Sequence, residues 1–178
     1  MAYITKEMLC EFAGKFPEEE SQMPQVYADS AMETVAKYLG YDPEMKDYEV
    51  CLRGDGTDSI VLPSVCQELV SVEINGQEIS EDGWEWRKNY LSRILPSGES
   101  EIFSSNQKIK VKFRGGYDPV PQKIVITALQ LATLYWESSG GNLAVSSTSY
   151  ADMGTRVFNN FHEERFLEQI NEWRIYNV

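Results

Sequence analysis

The chain has 178 residues, 42% of them hydrophobic and 25% charged, and a formal net charge of -12 at pH 7. Its length suits one domain, or one domain with an insertion, and its composition excludes a wholly disordered chain. The acidic excess repels a phosphate backbone and disfavours sequence-reading DNA or RNA binding.

The cysteines and the first residues bear on the compartment. Cys10, Cys51 and Cys66 are odd in number and lack C-x-x-C spacing, which predicts buried, reduced thiols rather than disulfides or a zinc site. The opening residues MAYITKEML show no basic stretch followed by an apolar one. We therefore expect a protein that folds in a cytoplasm and has no membrane partner.

Two helices are predicted in residues 1-40. Thr5 is placed to cap the first, and Pro17 ends it. The acidic run Glu18-Glu19-Glu20 is interpreted as a solvated loop. A second helix follows near Gln25 to Leu39, with Gly40 as its left-handed cap. The apolar face predicted for the first helix consists of Met8, Leu9, Phe12, Ala13 and Phe16.

From Tyr48 the apolar period changes to two, which is typical of strands. YEVCLRGDGTDSIVLPS predicts a hairpin that turns at Asp55-Gly56, and Asn75-Gly76 predicts a second hairpin. A further strand pair, closed by Pro96-Ser97-Gly98, has an aromatic-rich set of side chains. These are Trp84, Trp86, Tyr90, Leu91, Ile94 and Leu95. Residues 48-114 are thus predicted to be a β unit inserted between helices.

A strand and a long helix are predicted next. Ile109, Val111 and Phe113 alternate with basic residues, which indicates a strand with one buried and one wet face. A central helix is predicted over residues 119-138, because most of its positions are apolar. Such a helix needs cover from its own core or from a neighbouring subunit. Its polar residues form a narrow stripe of Lys123, Thr127, Gln130, Thr133 and Glu137.

The C-terminal part is predicted as a flexible loop at 139-157, rich in Ser, Thr and Gly, and a helix at 158-176. Asn160 and Glu163 are spaced as a capping box. We predict that the apolar side chains of this helix bind a partner, and the alternative is that they close the chain's own core. They are Phe161, Phe166, Leu167, Ile170, Trp173 and Tyr176.

Signals for catalysis are weak. His162 is the one histidine in the sequence, and no serine or cysteine stands in a nucleophile-elbow context. The sequence contains no H-E-x-x-H, phosphate-binding loop or dinucleotide fingerprint. We therefore predict no catalytic residues, no metal, no cofactor and no enzymatic activity.

Two longer segments carry a family resemblance. LRGDGTDSIVLPSVCQELVSVEINGQEIS resembles the strand signature of the head-tail connector (adaptor) proteins of tailed bacteriophages. VKFRGGYDPVPQKIVITALQLATLYWES resembles their signature of strand, Gly-Tyr, Pro and long helix. The Ser/Thr-rich loop and terminal helix follow the family's C-terminal layout, so the resemblance covers roughly residues 48-176.

The resemblance implies a structural virion protein that forms a homo-oligomeric ring, a dodecamer in the particle, at the portal vertex. Such a ring joins the DNA-filled head to a tail or stopper protein. DNA passes through its channel without sequence-specific binding, and assembly takes place in the host cytoplasm. The implied fold is α+β: one connector domain over residues 1-178, with a small helical bundle and the β unit inserted between the second and the central helix.

An alternative function belongs to a different class. The chain could be a small β-containing module that binds carbohydrate or protein, with Trp84, Trp86 and Tyr90 as a stacking surface.

Overall fold

The structure is a computed structural model. It divides the chain into two compact units: a helical unit of Met1–Tyr38 and Pro121–Arg174, and a β unit of Leu39–Val120 and Ile175–Val178. The predicted α+β fold, with strands inserted between the second helix and the long helix, is confirmed. The single connector domain stays a prediction. The described residues are 3–18, 20–80, 82–139, 147–150, 154–157 and 162–175.

Among its described residues, the helical unit contains four α-helices and a short 3-10 helix. They are α1 (Lys6–Phe12), α2 (Met23–Leu39), α3 (Gln122–Ser139), α4 (His162–Glu168) and the 3-10 helix Asn171–Trp173. Helix α3 contacts both α1 and α4. None of the described helices is long and apolar enough to span a membrane.

The ends of the first two helices follow from local chemistry. The Thr5 hydroxyl accepts a hydrogen bond from the Met8 backbone N–H at 3.4 Å, so the predicted N-cap is confirmed. Helix α1 nevertheless ends at Phe12, before the predicted stop at Pro17. Helix α2 is followed by Gly40 at a φ of 85°, as predicted. A side chain at Gly40 would also meet the Ile175 carbonyl oxygen at 2.9 Å.

Helix α3 is buried on most sides, but its exposed side differs from the predicted polar stripe. Thr127 is completely buried, whereas Ile126 is 45% exposed. The spacing of the polar residues showed that they lie along one side of the helix. It could not show which side the neighbouring elements leave exposed to solvent. The buried residues of α3 are Ile124, Thr127, Ala128, Leu129, Leu131 and Ala132.

The β unit is organised around a four-stranded antiparallel sheet in the order β1-β7-β3-β4. Strand β7 is central, and its Ile109, Val111 and Phe113 are buried as predicted. The turn after β3 has positive φ at both Asn75 (54°) and Gly76 (83°), which confirms this hairpin. The four strands are β1 (Lys46–Arg53), β3 (Cys66–Ile74), β4 (Gln77–Ile79) and β7 (Lys108–Gly115).

A three-stranded antiparallel sheet has the order β2-β6-β5. Its β5–β6 pair is the predicted aromatic-rich pair, with Trp84 opposite Arg93 and Trp86 opposite Leu91. The first predicted hairpin is wrong, because β1 pairs with β7 while β2 pairs with β6. The chain does bend at Gly56, where φ is 89°. The strands are β2 (Ser59–Val61), β5 (Trp84–Arg87) and β6 (Tyr90–Arg93).

Aromatic contacts fill the core of the β unit. Trp84 stacks on Phe103 with ring centroids 6.1 Å apart, and its indole N–H donates to the Ser80 carbonyl at 3.1 Å. Tyr48 stacks on Phe113 at 5.0 Å. Burial of such rings is the largest kind of apolar contribution a side chain makes, so these pairs anchor the unit.

The segment after α3 differs from the predicted loop. Strands β8 (Ser147–Tyr150) and β9 (Gly154–Val157) pair antiparallel inside it. Thr, Tyr and Val favour strands, and the high Ser and Gly content concealed this signal. The flexibility predicted for residues 139-157 stays a prediction.

The predicted terminal helix is interrupted. Helix α4 ends at Glu168, and the 3-10 helix Asn171–Trp173 follows it. Ile170 has φ -107° and ψ 13°, outside the helical region, and its side chain is completely buried. The predicted helix is therefore interrupted at a buried residue.

Candidate assembly surfaces

The six predicted partner-binding residues divide into three groups. Leu167 and Ile170 are buried within the chain, so their side chains are not available to a partner as they stand. Phe166 and Trp173 are half-buried. Phe161 and Tyr176 lie outside the described residues. That all six residues bind a partner stays a prediction, and the burial of Leu167 and Ile170 favours the alternative that they close the chain's own core.

Trp173 is held by its own unit. The Lys123 ammonium lies 5.4 Å from the centre of the Trp173 ring and also forms an ion pair with Glu172 at 3.1 Å. Lys123 belongs to α3, so this cation–π contact ties the C-terminal turn to the central helix. The contact supports the alternative that this segment closes the core of the helical unit.

An apolar side of α1 lies open instead. Met8 is 37% exposed and Phe12 47%, and Phe16 beyond the helix end is 72% exposed. The spacing of Met8 and Phe12 places them on one side of the helix. Leu9 and Cys10 are buried on the other. We call Met8, Phe12 and Phe16 the α1 stripe.

The three residues of the α1 stripe belong to the apolar face predicted for the first helix, and the structure leaves all three exposed while it buries Leu9. The apolar residues of this segment recur with a helical period, and both sides of so short a helix are apolar. Periodicity therefore could not distinguish the side that the chain covers from the side that it leaves open. An exposed apolar side is the ordinary sign of a protein contact.

The stripe ends at an open pocket. This pocket, of about 580 Å³, is lined by Lys6, Glu7, Phe16, Pro17 and Glu18. It combines an exposed aromatic ring with charges of both signs at its rim. Such a combination fits a protein surface better than a small apolar ligand.

Other exposed apolar side chains occur in both units. In the helical unit they are Met23, Val26 and Ile126. In the β unit they are Val70, Trp86, Tyr90 and Ile102.

The aromatic surface of the alternative function is incomplete. Trp84 is buried in the core, whereas Trp86 and Tyr90 are exposed. The three-ring stacking platform is therefore not formed as predicted. The sequence could not separate the roles, because the two tryptophans occupy alternate positions of one strand.

The outer face of the four-stranded sheet carries a ladder of opposite charges. Lys110 pairs with Glu49 at 2.7 Å. Arg114 lies between Asp47 at 3.5 Å and Glu68 at 3.3 Å. The basic face predicted for β7 is present, and these acids of β1 and β3 flank it. Its positive charge is largely compensated, so it is a poor track for a phosphate backbone.

The Glu49–Lys110 pair stays ionised over a wide pH range. The hydrogen bond from Lys110 lowers the pKa of Glu49, and the same bond to Glu49 raises the pKa of Lys110. The Glu49 side chain is exposed and that of Lys110 is half-buried at the surface, so the pair fixes the charge pattern and contributes little to stability.

The thiols differ in their surroundings. Burial raises the pKa of Cys10, and it raises the pKa of Cys66 to about 11. Both are therefore protonated and weak nucleophiles at neutral pH. Cys51 is exposed, and all three cysteines are free.

Groups that could hold a metal are not assembled in the part of the chain that the structure describes. There, no three His, Cys, Asp or Glu side chains come together to hold a metal ion. His162 is the first residue of α4, and its side chain is not among those that the structure describes.

Comparisons with protein-family models and with curated proteins each find no match. Solved structures do match in fold. A structure described as the neck of an empty gene transfer agent (GTA) particle, computed with C6 symmetry, has a TM-score of 0.61 at 12% identity, covering 99% of this chain and 91% of that one. A chain of the virion of a native GTA particle has a TM-score of 0.60 at 13% identity, covering 96% of this chain and 90% of that one.

A third structure, the neck of a native GTA particle computed with C12 symmetry, gives a TM-score of 0.56 at 13% identity and covers 96% of this chain and 89% of that one. At such identities the likeness concerns the fold. The chain shares the fold of neck components of phage-like particles, which confirms the predicted connector resemblance at the level of structure.

Proposed function

We propose that this chain is a structural neck protein that connects the DNA-filled head of a phage-like particle to its tail or stopper. The observation that carries the proposal is a fold shared with a neck component over 99% of this chain and 91% of the other. Similarity over nearly the whole of both chains is more informative than a shared motif, because it includes the helices, the sheets and their order.

We further propose that the chain acts as a homo-oligomeric ring, twelvefold in the particle, placed against the portal protein. The neighbours come from necks treated with sixfold and twelvefold symmetry. A ring requires two different surfaces on each copy, since its contacts are head-to-tail. The α1 stripe supplies an exposed apolar side of the kind that such a contact covers.

The proposed route for DNA rests on charge. A net charge of -12 per copy gives a ring a strongly negative field, through which DNA slides without adhering. The outer face of the four-stranded sheet agrees with this in part, because its Lys110 and Arg114 are paired with acids. The proposal assigns the chain no catalytic step.

The C-terminal segment keeps a smaller role in the proposal. Phe166 and Trp173 are half-buried and remain candidates for a contact with the portal or an adjacent copy. Burial of Leu167 and Ile170 supports a role of the same segment in holding the helical unit together. Anchoring and core closure are therefore assigned to different side chains of one segment.

The test is deletion of the gene from the genome that encodes the particle. We expect DNA-filled heads without tails in electron micrographs, and tailed particles when the intact chain is supplied separately. A chain carrying Glu164→Ala, an exposed change on α4, is the control and should restore tails. Normal tailed particles in the absence of the protein would refute the proposal.

A further inference from the structure

One end of the outer face of the four-stranded sheet carries cations that no acid compensates. The register of β1 on β7 places Arg53 directly opposite Lys108. Both side chains are exposed, and within the described ranges neither forms an ion pair with a carboxylate. Like charges directly opposite on a sheet repel each other. The chain tolerates an unfavourable pair here, while the rest of the face alternates in sign.

The pair lines an open pocket. Its volume is about 360 Å³, and its walls include Arg53 and Lys108 together with Cys51, Glu73 and Lys110. Lys110 is already bound to Glu49 at 2.7 Å, and Glu73 is its register partner on β3. Arg53 and Lys108 are therefore the lining cations without an ion pair, and with Lys110, Glu49 and Glu73 they leave the site a net positive charge that can bind an additional carboxylate.

We infer that this pocket binds carboxylate groups of a second copy of the chain and is part of the contact between neighbouring subunits. The inference rests on the proposed ring. The chain has 28 acidic and 16 basic residues, so two copies repel each other unless a local cationic site meets acids of the neighbour. Arginine suits this task because its planar guanidinium binds a carboxylate through two parallel hydrogen bonds.

Nucleic acid is a poorer occupant of the same pocket. Two cations neutralise about two phosphates, whereas DNA-binding proteins with useful affinity neutralise about six to ten. The net charge of -12 opposes the approach of a polyanion over the whole surface. A carboxylate on a protein surface needs only the local pair.

The experiment compares two charge reversals in the full chain. Arg53→Glu removes the site and places an acid opposite Lys108. Arg87→Glu is the matched control, since it makes the same change in net charge at an exposed position on the other sheet. Self-association is measured by sedimentation velocity across concentration, in low and in high salt.

We expect the unaltered protein to associate, and to associate less in high salt. Arg53→Glu should weaken association at least about tenfold relative to Arg87→Glu, as loss of a close interfacial charge pair does. Its thermal midpoint as a monomer should be equal or higher, because the repulsion on the sheet becomes an attraction. Lys108→Glu should reproduce the loss, and it keeps the test valid if one variant fails to fold.

Cys51 gives a second readout within the same pocket. It is exposed while Cys10 and Cys66 are buried, so a maleimide should label it selectively. Labelling should slow as the unaltered protein associates and should stay fast in Arg53→Glu.

Three outcomes overturn the inference: equal effects of Arg53→Glu and Arg87→Glu, no association of the unaltered protein at any concentration, or Arg53-dependent binding of duplex DNA without self-association. The proposed neck function would survive each of them, because it is judged separately from the tails on particles.

Discussion

Helices α1 and α3 lie in the same unit and are both rich in apolar residues, yet the chain covers them differently. Helix α3 buries Ile124, Leu129 and Leu131. Helix α1 buries Leu9 but leaves Met8 and Phe12 partly in solvent. An apolar pattern therefore indicates side chains that favour burial. It does not show whether the same chain or another one buries them. The uncovered side of α1 is where we place a subunit contact.

The largest expected effect comes from removing the cover of α3. Deletion of residues 162–178 removes the buried Leu167 and Ile170 from the helical unit. Each large buried side chain contributes about 2–5 kcal/mol, against a total stability of about 5–15 kcal/mol. We expect the truncated chain to lose cooperative unfolding by circular dichroism, with Glu164→Ala as the unaffected control. A folded, monomeric truncation would show that this segment serves only as an anchor.

A paired substitution compares the two helices directly. Leu131→Ala in α3 should lower the free energy of unfolding by about 2–5 kcal/mol, because the side chain is completely buried. Phe12→Ala in α1 removes a larger side chain, but that side chain is 47% exposed. This substitution should lower the free energy of unfolding by about 1 kcal/mol or less. Urea unfolding measures both. Equal losses would mean that the α1 stripe is covered in the free protein.

The N-cap of α1 is a smaller contribution. Thr5→Ala removes the acceptor for the Met8 N–H and should cost about 1 kcal/mol. Thr5→Ser retains the hydroxyl and should restore most of the loss in the same urea experiment. If Thr5→Ala has no effect, the position of α1 depends on its buried side alone.

The smallest effect concerns the buried side of α1. Burial raises the pKa of Cys10 above that of an unfolded thiol, which is about 8.5. The folded state therefore favours the neutral thiol. Its contribution to the free energy of unfolding is fully present below about pH 8.5, and it is lost as the pH rises from there towards the pKa of the folded state. Cys10→Ala should show a shallower decline of stability above pH 8.5. An identical decline would place this thiol in solvent.

Much of the fold was predictable where the signal is local. Asn75-Gly76 specified its hairpin through two positive φ values, and Gly40 ended α2 in the same way. The alternation of Ile109, Val111 and Phe113 with basic residues predicted the buried face of β7. Such an alternation along one strand is a local pattern that shows which face is buried.

The errors occurred where pairing is distant in the chain. Asp55-Gly56 has the composition of a hairpin turn, but β1 pairs with β7, more than forty residues further along by the register of Arg53 on Lys108. No local pattern encodes that choice. Trp84 and Trp86 likewise have the same local context, and it is Trp84 that joins the core, where it stacks on Phe103.

The candidate surfaces were less predictable than the fold. The sequence favoured the terminal helix as the anchor, since its aromatic residues exceed what a short helix needs. The structure buries Leu167 and Ile170 and leaves Phe16 exposed. Which apolar side chains are buried depends on tertiary packing, which a local pattern does not show. The cations at Arg53 and Lys108 were visible as residues, but their juxtaposition required the register.

The most direct test of the neck function is the position of the chain in a purified particle. The measurement is electron cryomicroscopy of tailed particles, with the fold described above fitted into the density between head and tail. We expect a ring of identical copies at the neck, with the α1 stripe against a neighbouring subunit. Particles in which the neck is complete without this chain, or in which the chain is found elsewhere, would contradict the account.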